Sequence, residues 1–394
     1  MKTNTPRVLL VTGAYYPEIS AAGVQCRAVA AAIGDRAQLS VLTTAVDPRL
    51  PPDGIVDGRP VFRVVVDVTR AGSKALASVR LVRRMLWASG TYDMIHLHGF
   101  SQKNVPASIL ARLLGKPVVL TLHTAGQDEP EAVRRRGAIA FWAFSSATLT
   151  TAVSPDLVER WRAAGLRSDR VRLVPNGVDT KRFRPATADE RRTLRRELGW
   201  PENERIVLFV GFFSRDKRPD LLFRAWQRVV PTGVHARLAF VGAKGAGYFE
   251  IDASLAREIA EDTAATGWPD GVMLIEPDAD VDRYFRAADL FVLPSIREAH
   301  PLALLEAMAC GLPCIATRLP GATDVIVTDR DNGRLFPPDD ETALADAIRD
   351  VMSDAAKACA MGARARATVV ERYDVERTAT SWLAAYDDVL TARV

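Results

Sequence analysis

At 394 residues the chain is longer than one typical domain, and its 48% hydrophobic and 25% charged residues are the balance of an ordinary globular protein. A net charge of +4 gives no argument for nucleic acid as a partner, none is expected, and no apolar run reaches the length of a membrane-spanning helix. Met1 to Pro6 leads into a strand pattern without an apolar signal region, which predicts a cytoplasmic protein, and the scattered Cys26, Cys310, Cys314 and Cys359 read as buried thiols rather than zinc ligands.

In the first half, short apolar strand patterns at residues 8–12, 39–43, 61–66, 94–97, 118–122, 148–152 and 171–174 alternate with helical stretches such as 24–33. After the first strand come Tyr16-Pro17 and then Gly23, a single glycine behind Ala21 and Ala22. A bare backbone there either approaches a phosphate or simply makes a turn. Arg80, Arg83 and Arg84 share a predicted helix with Leu81, Val82, Met85, Leu86 and Trp87. Such a segment either rests on an anionic membrane surface or packs one face and solvates the other. Arg134 to Arg136 either contact a membrane or the acceptor or form an exposed loop. His96 and His98 share one face of a strand, and His123 follows the next one. No carboxylate joins the three in ligand spacing, so no metal is expected.

The pattern breaks between residues 176 and 187 and then restarts. Strand patterns follow at 206–210, 238–241, 272–275, 290–293, 314–316 and 334–336, with helical ones at 190–198, 221–229 and 344–352. This alternation predicts an α/β chain of two doubly wound domains, each a parallel sheet covered by helices. Gly242 to Gly247 is glycine-rich but lacks dinucleotide-binding spacing. Asp278, Asp280 and Asp282 precede a helical run and read as helix caps rather than metal ligands. An amphipathic stretch at 375–390 closes the chain.

Two carboxylates, Glu298 and Glu306, stand with seven residues between them where a strand, a loop and a helix follow in order. Pro301 suits the first helical position, since its missing N–H has no helical partner there. The other N–H groups of such a turn, helped by the helix dipole, hold an anion such as a diphosphate. Carboxylates accept hydrogen bonds from hydroxyls. The parts therefore suit a nucleotide sugar, a diphosphate flanked by two polyols.

This block resembles the E-x7-E motif of the retaining glycosyltransferases of family 4. Residues 288–295 lead into it, residues 306–313 with Gly321 lead out, residues 174–179 with Phe183 and Pro185 resemble the family's interdomain segment, and residues 210–217 its phosphate-contacting loop. The resemblance covers nearly the whole chain and is densest from 171 to 337. It implies the GT-B fold: two Rossmann-like domains facing across a cleft, with residues 1–180 binding the acceptor, 181–372 binding the donor, and 373–394 packing back on the first domain.

It further implies a reaction: transfer of a hexose-type sugar from a UDP- or GDP-linked donor to a hydroxyl of a glycan, lipid or small metabolite. The anomeric configuration is retained and no metal is needed. By resemblance, Lys217 meets the diphosphate, Glu306 the ribose and Glu298 the transferred sugar. The backbone at His300 and Leu302 serves the donor, and Pro301 offers no N–H. His123 contacts the sugar, His98 shapes the acceptor side and Gly23 approaches phosphate. Many relatives carry an arginine where this chain has Phe212, and Arg215 either supplies that guanidinium or lies on the surface. His300 and Pro301 also depart from the usual family residues, which bears on the sugar's identity. A sugar-nucleotide epimerase of the same architecture and a non-catalytic nucleotide-sugar binder are the alternatives.

Overall fold

The computed structural model describes residues 5–230, 235–242, 251–265, 271–276 and 280–392. The chain forms two compact units, Met1–Gly177 with Val375–Val394, and Val178–Asp374. The division falls a few residues from 180 and 373. Val178 bridges Asp374 and donates its N–H to the Tyr373 carbonyl at 2.9 Å, which holds both ends in the second unit. Thr378 Oγ1 instead donates to the Pro175 carbonyl at 3.0 Å, within the first.

Unit 1 runs β1 (Arg7–Thr12), α1 (Ala21–Ile33), β2 (Gln38–Ala45), β3 (Asp53–Val56), β4 (Arg59–Val65), α2 (Ala71–Trp87), β5 (Met94–His98), α3 (Asn104–Leu113), β6 (Val118–Leu122), α4 (Pro130–Arg134), α5 (Ala138–Ser145), β7 (Leu149–Ala152), α6 (Pro155–Ala163) and β8 (Val171–Leu173). The strand order is β3-β4-β2-β1-β5-β6-β7-β8. All neighbours are parallel except β3 and β4. That hairpin is absent from the sequence expectation. Its signal is Asp57-Gly58, where both residues take positive φ (49° and 77°), the geometry of a tight hairpin turn.

On one side of the sheet α1 packs against the last helix, α14 (Val375–Thr391), burying Val29, Ile33, Trp382 and Tyr386 with Val8 and Leu10 of β1. On the right-handed crossover rule α2, α3 and α5 cover the other side, packed in that order. Leu81 and Met85 of the basic segment are core residues there, whereas Leu86 and Trp87 are exposed. No helix among the described residues is long and apolar enough to cross a membrane.

Unit 2 runs α7 (Ala188–Glu197), β9 (Arg205–Val210), α8 (Pro219–Val229), β10 (Ala236–Val241), α9 (Ala253–Ala265), β11 (Val272–Ile275), α10 (Asp282–Ala287), β12 (Leu290–Leu293), α11 (Leu302–Ala309), β13 (Cys314–Thr317), β14 (Arg334–Phe336), α12 (Glu341–Ser353) and α13 (Ala355–Arg372). Its sheet is parallel throughout, in the order β11-β10-β9-β12-β13-β14. Side chains alternate along β9. Ile206 and Leu208 enter one core cluster, and Val207 and Phe209 the other. Both faces are therefore buried, as a continuous apolar strand requires.

The connection order reverses between β9 and β12, since the chain leaves β9 toward β10 and β11 and returns to build β12 on its other side. Ligands of open parallel sheets bind at such a switch point, beyond the carboxyl ends of the strands. In unit 1 the corresponding reversal lies between β1 and β5.

Candidate functional site

The loops that leave β9 and β12 are neighbours because those strands pair in parallel, Leu290 beside Val207 and Phe291 beside Leu208. Three ties fasten them together. Ile296 donates its N–H to the Asp216 carbonyl at 2.8 Å. Arg297 pairs with the Asp216 carboxylate. Lys217 Nζ lies 2.6 Å from Glu298 Oε1, with the lysine part-exposed and the carboxylate buried. Arg218 follows in the left-handed region (φ 50°), and Pro219 opens α8, so the chain turns sharply just after Lys217. Asp216 and Arg297 have no motif of their own, and only strand pairing shows what they do.

Pro301 is not the first helical residue. It sits before the helix in extended geometry (φ −71°, ψ 114°), and α11 starts at Leu302. The first helical hydrogen bond runs from Leu305 N–H to the Pro301 carbonyl at 3.3 Å, so the amides of Leu302, Ala303 and Leu304 precede it. Fixing φ without needing an N–H, Pro301 stiffens the entry to that amide cluster. Beside it the buried ring of His300 stands edge-on to Tyr373, with centroids 5.1 Å apart. Burial pushes that imidazole down to about 3, with help from Arg372, so it is neutral.

Glu306 lies one turn deeper and is only 8% exposed, with no hydrogen bond to its carboxylate among the described residues. Burial pushes it up to about 7, Arg182 opposing and Asp282 reinforcing the shift. A carboxylate largely withdrawn from solvent without a donor from the protein is costly. Arg182 and Asp282 pair at 2.8 Å. At α10 the residue before the helix is Val281, which makes no side-chain cap, while Asp282 lies inside the first turn, where its charge favours the helix dipole. Asp278 and residues 243–247 of the glycine-rich segment lie outside the described residues.

Arg215 is not brought to Glu298. Its guanidinium pairs with Asp252 at 2.8 Å and reaches Ser254 at 3.3 Å, fastening the loop to the start of α9. Lys217 alone of the two candidate cations meets Glu298.

In unit 1, Gly23 lies inside α1 rather than in a loop or turn. Its N–H donates to the Ser20 side chain that caps the helix, at 3.1 Å. A Cβ at this position would stand 2.3 Å from the Ala14 carbonyl oxygen. The bare backbone thus serves packing of the helix onto the β1 loop.

The three histidines do converge. His98 Nδ1 is 3.0 Å from His123 Nε2, and the His96 and His98 rings are 4.0 Å apart. His96 spends both ring nitrogens on structure, at 2.8 Å from the Tyr386 hydroxyl and 2.6 Å from Thr121 Oγ1. Burial holds His96 and His98 well below the usual histidine range and pushes His123 down to about 4, so all three are neutral near pH 7. Asp128, which sequence reasoning misses, fixes the pair. Its buried carboxylate accepts the backbone N–H groups of Phe100 (2.7 Å), His123 (2.8 Å) and Thr124 (2.9 Å). At the β1–β5 reversal the Lys103 ammonium donates to the Thr12 carbonyl (3.2 Å) and Thr44 Oγ1 (3.0 Å). Among the described residues no group of three or more His, Cys, Asp or Glu is arranged to hold a metal.

Comparison with known proteins agrees with this geometry. Residues 190–368 match the model for glycosyl transferases group 1, and residues 22–182 match that for glycosyltransferase family 4. A D-inositol 3-phosphate glycosyltransferase of Catenulispora acidiphila is 30% identical over 348 residues, 83% of this chain and 81% of the relative. One from Acidothermus cellulolyticus is 32% identical over 328 residues, 77% of this chain and 69% of the relative. Among solved structures, sucrose-phosphate synthase of Thermosynechococcus elongatus superposes with a TM-score of 0.81 at 22% identity, over 98% of this chain and all (100%) of that one. Anabaena HepE in complex with UDP-glucose gives 0.77 at 21% identity, over 98% and 99% of the two chains. With motif, fold and relatives in agreement, the chain belongs to the group 1 glycosyl transferases of family 4 and is a glycosyltransferase of the two-domain GT-B fold.

Proposed function

We propose that the chain transfers a hexose-type sugar from a nucleoside diphosphate donor to an acceptor hydroxyl, with the anomeric configuration retained. The observation that carries this reading is Glu306, a buried carboxylate without a hydrogen-bond donor one turn behind the α11 amides, which two ribose hydroxyls would satisfy. The α11 N-terminus then holds the diphosphate, Lys217 exchanges Glu298 for it, and Glu298 turns to the sugar hydroxyls. The bond between the anomeric carbon and the diphosphate oxygen breaks as the acceptor oxygen bonds that carbon on the same face. The acceptor proton passes to the departing oxygen, whose charge Lys217 and the amides stabilise.

His123 serves the sugar and His98 the acceptor side, as neutral hydrogen-bonding groups. Unit 1 binds the acceptor. No divalent metal is required, so chelation with EDTA leaves turnover unchanged. The solved HepE complex with UDP-glucose supports a UDP-linked donor, and the inositol phosphate relatives support a small phosphorylated polyol acceptor. Peripheral contact with an anionic membrane belongs to the same reading.

The test is a panel of nucleotide sugars, with nucleoside diphosphate release measured with and without candidate acceptors. Acceptor-dependent release supports transfer. Interconversion of the sugars without acceptor points to an epimerase, and binding without turnover to a non-catalytic module; either result overturns the reading.

A further inference from the structure

The helices α2, α3 and α5 pack side by side, and their outer faces carry an unusual composition. Of the fifteen large apolar side chains exposed among the described residues, eight lie here: Leu76, Val79, Leu86, Trp87, Ile109, Leu113, Ile139 and Trp142. Trp87 is 76% exposed, Leu113 79% and Ile139 68%. Spacing explains the shared surface. In α2 the core side is Ala77, Leu81 and Met85, and the outer line is Leu76, Val79, Arg83 and Leu86, with Arg80 and Trp87 beside it. Ile109 and Leu113 flank Arg112 on the open side of α3, opposite Ala107 and Ala111. Ile139 and Trp142 stand three apart on α5, opposite Ala140, Ala143 and Phe144.

The charge on this face has one sign. None of the three helices contains Asp or Glu, and together they carry Lys74, Arg80, Arg83, Arg84 and Arg112. Arg84 pairs with Asp53 of the hairpin and lies over the Trp87 ring, which leaves Arg80, Arg83 and Arg112 pointing outward on exposed residues.

We infer that this three-helix face docks on a bilayer rich in anionic phospholipid. Exposed tryptophans beside aliphatic side chains match the headgroup boundary, where an indole is apolar on its ring and wet at its N–H. The arginines reach phosphate headgroups while their stems stay on the apolar surface. A protein partner of ordinary composition would not select three helices without a single acid, whereas an anionic sheet does. The inference makes specific the reading of peripheral membrane contact, and it does not depend on the donor chemistry.

The experiment is co-sedimentation of the full chain with vesicles of phosphatidylcholine alone, or with an equal part of phosphatidylglycerol, at low and high salt. Binding is expected only with phosphatidylglycerol, and it should weaken at high salt. The R80E/R83E variant should lower the partition coefficient by about tenfold or more. W87S/L113S should lower it comparably without changing charge. Absence of binding to anionic vesicles, or binding that both variants retain, overturns the inference. Concentration-dependent self-association of the wild-type chain that both variants abolish also overturns it, in favour of a contact between copies. Nucleotide release from the donor, measured in parallel on the same variants without vesicles, should be unchanged, so failure at the membrane stays distinct from failure of the transferase reading.

Discussion

Lys217 Nζ stands 2.6 Å from Glu298 Oε1 and so joins the loops that follow two adjacent parallel strands, β9 and β12. Eighty-one residues separate them in the chain. The pair satisfies a buried carboxylate before any ligand is present, and it keeps an ammonium at the α11 entrance, where a diphosphate would displace Glu298 as its partner.

Replacing Lys217 with alanine should lower kcat by about a hundredfold to a thousandfold, the usual cost of removing one group that stabilises developing charge. Donor KM should move much less. Steady-state kinetics with the donor varied checks this. A variant within threefold of wild type would remove Lys217 from the reaction.

Glu306 should couple nucleotide binding to pH. Its carboxyl is raised from 4.5 to about 7, and the ionised form, acceptor-only on both oxygens, takes the stronger hydrogen bonds from two hydroxyls. Affinity for the nucleoside diphosphate should therefore fall as pH drops below about 7, and binding at pH 6 should release protons. Calorimetry in buffers of different ionisation enthalpy measures that release.

Stability carries the opposite sign. The folded state holds the Glu306 proton more tightly than the unfolded state, so stability falls as pH rises from 4.5 through about 7. Glu306→Gln should then stabilise the free protein at pH 8 by on the order of 2 kcal/mol and at pH 4 by little, while weakening nucleotide binding. Urea unfolding at both pH values tests the pattern, and an equal effect at both would refute the assignment.

The histidine cluster should make the protein sensitive to acid. His123 is lowered from 6.5 to about 4, and burial moves His96 and His98 the same way. Below pH 6.5 the unfolded chain takes up protons that the folded cluster refuses. Stability should fall as pH drops from about 6.5 toward 4. Titration by NMR should find the His123 imidazole neutral at pH 6; a midpoint near 6.5 contradicts the buried pair.

Gly23→Ala should destabilise rather than simply weaken donor binding. The new Cβ meets the Ala14 carbonyl oxygen at 2.3 Å, backbone that moves only if α1 shifts. Overpacking of this kind costs about 1–3 kcal/mol. A lower urea midpoint with an unchanged slope is the expected result.

Alternating strand and helix patterns are readable because the strands of both sheets, β3 apart, run parallel and are largely buried, which writes apolar runs directly into the chain. Glu298, Glu306 and Lys217 are legible because they sit in local blocks whose neighbours carry the family motif. The β3 strand escapes because it is short and an antiparallel exception, marked only by Asp57-Gly58. The packing of Gly23 against Ala14 is not legible because a glycine chosen for close helix packing looks the same in one dimension as a glycine chosen for phosphate. The role of Arg215 turns on Asp252, thirty-seven residues away. Asp128 carries no motif, since its partners are backbone amides that any sequence supplies.

Residue order alone settles the class of chain, the positions of its strands and the strand, loop and helix that carry Glu298 and Glu306, because periodicity and helix entry are local properties of neighbouring residues. Which cation faces which carboxylate, which glycine is pressed by a carbonyl, and which apolar side chains of α2 stay outside the core are set by strand order and by the crossover of helices. Those arrangements depend on contacts between residues far apart along the chain.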